Sequence, residues 1–191
     1  MTNMEQILSD LIKLTGYTDA DAQLLQETSA QTLPWGPAVS TIFYDTVFGY
    51  QPTESVFREG ERPAREKSLI YWYKFVVQGQ IDANFWRWQW YVGLIHIPRG
   101  ISNAFMLGMM SRVQQLFLAQ CMQTFEQEKA LAVFNAFKRV TDVIAGLIAE
   151  GYFESYIEAV ESATGQSRKL IDRQVSFAVE EMVAAAQKDR L

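Results

Sequence analysis

The chain has 191 residues, a formal net charge of -5 and 49% hydrophobic residues, enough for one domain with a full core and without the basic excess that holds a phosphate backbone. Nucleic acid is thereby excluded as an expected partner, and no apolar run is long enough to span a bilayer, so no membrane association is expected. Cys121 is the sole cysteine, which rules out an intrachain disulfide, and without a basic-then-apolar leader the expected location is cytoplasmic.

Five prolines and eleven glycines are the strong breakers, and Ala, Leu, Gln, Glu and Met are plentiful between them, so the fold class is all-α. A short first helix spans about Met4 to Leu14, with Ile7, Leu8, Leu11 and Ile12 at helical spacing and Gly16 to end it. Thr18 then caps a second helix, with Asp21 as the capping-box partner and Leu24 and Leu25 facing inward. Pro34 and Pro37 close that segment and open a third helix, about Pro37 to Phe48. Its Val39, Ile42, Phe43, Tyr44, Val47 and Phe48 are too many apolar positions for a helix with a solvated side, so it should be largely buried.

A charged turn, Arg58 to Glu66, leads into an aromatic helix from about Pro63 to Gln78, with Ser68, Leu69, Tyr71, Trp72, Phe75 and Val76. The next helix starts at Ala83, with Gly93 as the sole breaker inside it. It should end near His96, because Pro98 lacks an amide donor and disfavours helical geometry at Ile97. Ser102 or Asn103 caps a long helix to about Phe125, carrying Phe105, Met109, Val113, Leu116, Phe117 and Met122. A longer one, Lys129 to Val160, has Phe134, Phe137, Val140, Ile144, Leu147 and Ile148, a band wider than one core face needs and suited to a helix that also meets a second subunit. Thr164-Gly165 ends it. In the final helix, from Ser167, Ile171, Val175, Ala178, Met182 and Ala185 step as a short heptad seam, expected either of a coiled coil or of a helix docking on its own domain.

Trp86, Trp88 and Trp90 and the only histidine, His96, fall in one segment, Phe85 to Gly108. A chain with one imidazole offers a transition metal one such ligand and no cluster. That suits a prosthetic group which brings its other donors, such as haem with a single proximal histidine. A buried histidine hydrogen-bonded to a backbone carbonyl is the alternative.

The run His96-Ile97-Pro98-Arg99-Gly100-Ile101, followed by Phe105 and Gly108, resembles the proximal segment of the globin-coupled sensor and protoglobin family. Phe43-Tyr44 resembles that family's helix B pair, and the interval from Tyr44 to His96 is similar to the family's. The resemblance covers roughly Thr18 to Ile157. It implies a globin-like helical bundle with an N-terminal pre-helix and an extra C-terminal helix, residues 1–162 forming the haem domain and 163–191 a C-terminal helix or linker.

The same resemblance implies haem b (iron protoporphyrin IX) between the Ser68 and His96 helices, with His96 as the proximal iron ligand. Phe43, Tyr44, Ser68, Trp72 and Phe105 are the other implied haem-pocket residues. Tyr44 would donate a hydrogen bond to the gas ligand, Ser68 would offer a second hydroxyl where the family pattern leads one to expect Thr, and Trp72 would cover the haem face. Arg65 falls near the expected haem edge, although an exposed arginine in a charged turn is the ordinary outcome. No C-x-x-C-H run is present, so the haem would be held non-covalently. Pro98-Arg99 and Met106 depart from the family pattern, which touches the signal path more than haem binding.

Function follows as an expectation. The chain reads as a sensor globin that reversibly binds O2, and also CO or NO, for gas sensing and signalling. It is expected to form a homodimer through its two long helices and to act on a separate signalling partner, since about thirty residues after the globin-like part leave no room for an output module. The alternatives are a stand-alone gas-scavenging globin, with nitric-oxide dioxygenase-like activity open, and a haem-free globin-fold scaffold for stress signalling.

Overall fold

Caps and breakers set the helices much as the residues suggest. Helix α1 (Met4–Thr15) stops at Gly16, whose φ of 71° is left-handed and favours glycine. Helix α2 (Asp19–Thr32) begins after Thr18, whose amide donates to Asp21 Oδ2 at 2.9 Å. A 3-10 turn, Leu33–Trp35, leads into α3 (Gly36–Phe48), and the short α4 is Gln51–Glu54. Then follow α5 (Arg62–Val77), α6 (Ala83–Arg99), α7 (Asn103–Thr124), α8 (Gln127–Thr164) and α9 (Arg168–Lys188). The computed structural model describes residues 4–188 and, among these, contains helices and no strand. None of the described helices is long and apolar enough to cross a membrane.

By internal contacts the chain forms two units, one through Tyr152 and one from Phe153. In the first unit α8 is the spine: Val133, Phe137, Val140, Ile144 and Leu147 are fully buried. Phe137 stacks on Phe117 of α7 at 3.8 Å, and Tyr73 of α5 leans on both rings. Helix α3 packs on α5 and α7, and α2 packs on α5. Asp21, 5% exposed, does two jobs, holding the start of α2 and accepting two hydrogen bonds from Arg139 of α8.

Two expectations change here. The wide apolar band of α8 is consumed inside this unit, since Phe137, Val140, Ile144, Leu147 and Ile148 are all buried within one chain. It therefore no longer argues for a second subunit. Helix α6 does not end near His96 but runs through Pro98 to Arg99. In the last turn a proline removes only the bond to the carbonyl four residues back, and Gly100, at φ 68°, supplies the left-handed stop one turn later.

In the second unit Arg168 bridges Glu154, at 3.1 Å from both oxygens, to Asp172 at 3.0 Å. Of the five seam positions in α9 only Ile171 is buried, whereas Val175 is 52% and Met182 68% exposed.

Candidate functional site: a cavity between the α5 and α6 walls

Three devices hold α6 in place. Asp82 caps its start, accepting the Phe85 amide at 2.7 Å. In the middle, Gly93 lies against the α8 backbone, where a β-carbon would collide with the Ile148 carbonyl and the Tyr152 amide. Gly151 returns the arrangement, its missing β-carbon falling 2.5 Å from the Trp90 carbonyl. Gly93 is thus a crossing point rather than a helix breaker, and a larger residue would push α6 off its support. At the end, Ile101 N–H donates to the His96 carbonyl at 3.1 Å and Gly100 N–H to the Ile97 carbonyl at 3.0 Å, the paired bonds of a Schellman stop. The His96 backbone is therefore tied at the last turn of a supported helix.

The same stepping along α6 that puts Gly93 on α8 puts Gln89, Val92, His96 and Arg99 on the wall of a cavity of about 330 Å³. A larger hollow of about 1140 Å³ adjoins it, and Ser68, Trp72, Trp88 and Gln89 stand in both walls. These volumes are of the size that small-molecule sites occupy. All six residues expected at the site, Phe43, Tyr44, Ser68, Trp72, His96 and Phe105, line the smaller cavity. Phe105 reaches it from the first turn of α7, where its amide is held by the Ser102 hydroxyl at 3.3 Å.

The chemistry of these side chains differs. His96 Nδ1 is buried without a hydrogen-bond partner. Burial, aided by the Arg99 charge, pushes the imidazole down to about 4, so it is neutral at physiological pH with its lone pair free. Tyr44 is 6% exposed and packed edge-on by Phe43 and Phe57. Burial pushes its phenol up to about 12, so it stays a neutral donor. Ser68 sits at the exposed edge, and its hydroxyl donates to the Ala64 carbonyl at 3.0 Å, so its proton is already engaged within α5.

Several lining residues escaped the sequence reading. Gln89 is 1% exposed, its amide nitrogen donates to the Phe85 carbonyl at 3.2 Å, and its oxygen is buried without a partner. Stepping back two turns from His96 would have found it. Met106 and Arg99, noted only as departures from the family pattern, also line the cavity, as does Arg65, and so do Ile144 and Ile148 of α8. No local pattern marks those last two, because a core face and a cavity wall read alike.

Residues 4–158 match the family model described as Protoglobin. The chain belongs to the protoglobin family. A solved structure, the globin domain of a Geobacter sulfurreducens globin-coupled sensor, has the same fold at a TM-score of 0.63, with 17% identity over 75% of this chain and 96% of that one. No curated protein matches the chain. For a protoglobin the question is whether these residues suit a haem, and they do. The cavity has aromatic walls for a planar ring and one neutral imidazole with a buried, unpaired nitrogen. Among the described residues there is no competing group of three or more His, Cys, Asp or Glu that could hold a metal.

Proposed function

We propose that this protoglobin holds haem b through His96 and binds O2 reversibly, with CO and NO as further ligands, as a cytoplasmic gas sensor that signals to a separate partner. Residues 1–162 serve as the haem domain and 163–191 as an appended helix. The observation that carries the reading is the lone histidine: neutral, with an unpaired buried nitrogen, on the wall of a cavity whose other helices contribute Phe43, Tyr44 and Trp72. Haem, when bound, supplies an iron with one coordination position open to a diatomic gas. With no second histidine the chain has no imidazole to close that position.

The protein's own groups do the rest. The Schellman stop and the Gly93 crossing orient the imidazole, Phe43 and Trp72 exclude water, and the Tyr44 hydroxyl donates to a polar gas ligand. Purified with haem supplied, wild type should show a Soret band and His96→Ala should lose the wild-type ferrous spectrum. No band in wild type would sink the proposal in favour of a haem-free scaffold.

Dimerisation is part of the proposal and rests on exposed apolar residues of the long helices, Leu107 and Met122 on α7 and Leu131 on α8. Sedimentation at micromolar concentration should give twice the chain mass, and a clean monomer would count against it.

A further inference from the structure

One helix brings a cluster of thioethers to the smaller cavity. Of the chain's seven methionines, Met106, Met109 and Met110 stand together on α7, at the i, i+3, i+4 spacing that puts side chains on one helix face. All three line the cavity, as His96 and Tyr44 do. Met106 is buried and Met109 and Met110 are half-buried, whereas the intervening Leu107 is 51% exposed and lines no cavity wall. The sulfurs thus belong to the cavity face of α7 and not to its solvent face.

Leucine fills such a wall as well as methionine does. What methionine adds is a polarizable sulfur with a lone pair that can take an oxygen atom. Hydrogen peroxide is the simplest donor: the sulfur forms an S–O bond, the O–O bond breaks, and water leaves, so that the thioether is oxidised by two electrons and the peroxide reduced by two. Without help this reaction favours the most exposed sulfurs, here Met182 at 68% and Met122 at 49%, neither of which lines the cavity. Haem, when bound, activates peroxide inside the cavity, where the other three stand. The one thiol is a poor competitor, since Cys121 is fully buried, does not line the cavity and is pushed up to about 12 by burial, which keeps it protonated.

We propose that Met106, Met109 and Met110 form a peroxide-modified site whose sulfoxides loosen the hold on O2. This rests on the haem reading and adds an oxidative regulation of the same pocket. The Tyr44 hydroxyl has no acceptor among the described residues, which leaves it free to donate to O2. A sulfoxide oxygen is a strong acceptor set into the wall of the same cavity, and it competes with O2 for that proton.

The test compares haem-loaded and apo wild type after a small molar excess of hydrogen peroxide, with sulfoxides mapped by tandem mass spectrometry of tryptic peptides. The three cavity methionines fall between Arg99 and Arg112, Met122 between Arg112 and Lys129, and Met182 between Arg173 and Lys188, so the two classes separate cleanly. In the haem-loaded protein the cavity sulfurs should be oxidised several-fold more than Met122 and Met182, and in the apo-protein the order should reverse. Oxygen dissociation from the treated protein should quicken several-fold. A variant carrying Met106→Leu, Met109→Leu and Met110→Leu should give the same O2 dissociation rate before and after peroxide. Exposed methionines oxidised first in both states, or oxygen recovered on Tyr44 or Trp72 instead, would overturn the site and leave the haem reading standing. Cavity sulfoxides with an unchanged O2 rate would overturn the regulation. No Soret band in the protein supplied with haem would overturn the haem reading and this proposal with it.

Discussion

Two buried tyrosines divide the first unit into a filled region and an open one. Tyr73 is 1% exposed, its hydroxyl donates to the Thr32 carbonyl at 2.8 Å, and its ring sits against the Phe117–Phe137 stack. Tyr44 is almost as buried at 6%, but its ring lines a cavity and no described residue accepts from its hydroxyl. A buried hydroxyl with a partner contributes to stability, whereas the Tyr44 hydroxyl, on a ring that lines the cavity, makes no such contribution. The difference teaches where this chain is built to stand and where it is built to receive.

Breaking the filled side should have the largest effect. Phe137→Ala removes one ring of a fully buried stack and should cost about 3–5 kcal/mol, read as a fall in the urea midpoint of the apo-protein. Next comes the crossing that joins the two regions. Gly93→Ala presses a methyl into the α8 backbone and should cost about 1–3 kcal/mol, with the Soret maximum of the haem-loaded protein shifting as α6 moves. A Gly93→Ala variant with unchanged stability and spectrum would show that the crossing does not position His96.

The tyrosines themselves should then separate. Tyr73→Phe leaves the Thr32 carbonyl without its donor and should cost on the order of 1–2 kcal/mol. Tyr44→Phe should change stability by no more than about 0.5 kcal/mol, because no hydrogen bond to protein is lost. Its effect should appear in gas release instead. O2 dissociation should quicken several-fold while CO dissociation changes much less, since O2 gains more negative charge on binding. Equal factors for the two gases would reduce Tyr44 to a shaper of the pocket.

The last effect appears only at acid pH. The His96 imidazole is pushed down to about 4 in the fold, against about 6.5 in the unfolded chain. A base with a depressed folded value leaves its contribution intact above pH 6.5, and loses it as pH falls toward 4, because the unfolded chain takes up the proton first. The apo-protein should therefore show a stability decline across that window which is absent from His96→Gln. Parallel pH curves for the two proteins would mean that the imidazole is better solvated than the cavity geometry implies.

Much of this was legible in local sequence. Thr18 with Asp21, Asp82, Ser102, Gly16 and Gly165 mark helix ends through short-range hydrogen bonds or glycine's left-handed freedom, which depend on neighbours along the chain. Pro98 misled because its penalty depends on position, being small in a last turn that Gly100 closes. The lone imidazole and the Phe43-Tyr44 pair were legible as types at an interval, and that was enough to pick out residues which share one cavity.

The sequence by itself determined the helices and the all-α class, since propensity, capping and apolar period are properties of neighbours in the chain, while the six residues that converge were implied by the family resemblance. Tertiary structure decided the rest. Gly93 reads as a breaker until α8 lies against it, the α8 band reads as a dimer face until one core absorbs it, and Arg65 reads as a solvated charge until Glu61 joins it to Arg99. Glu61 and Arg99 stand 38 residues apart. What a glycine touches, what a wide apolar band covers and which cation a carboxylate pairs with are facts of distance in space, to which spacing along a helix has no access.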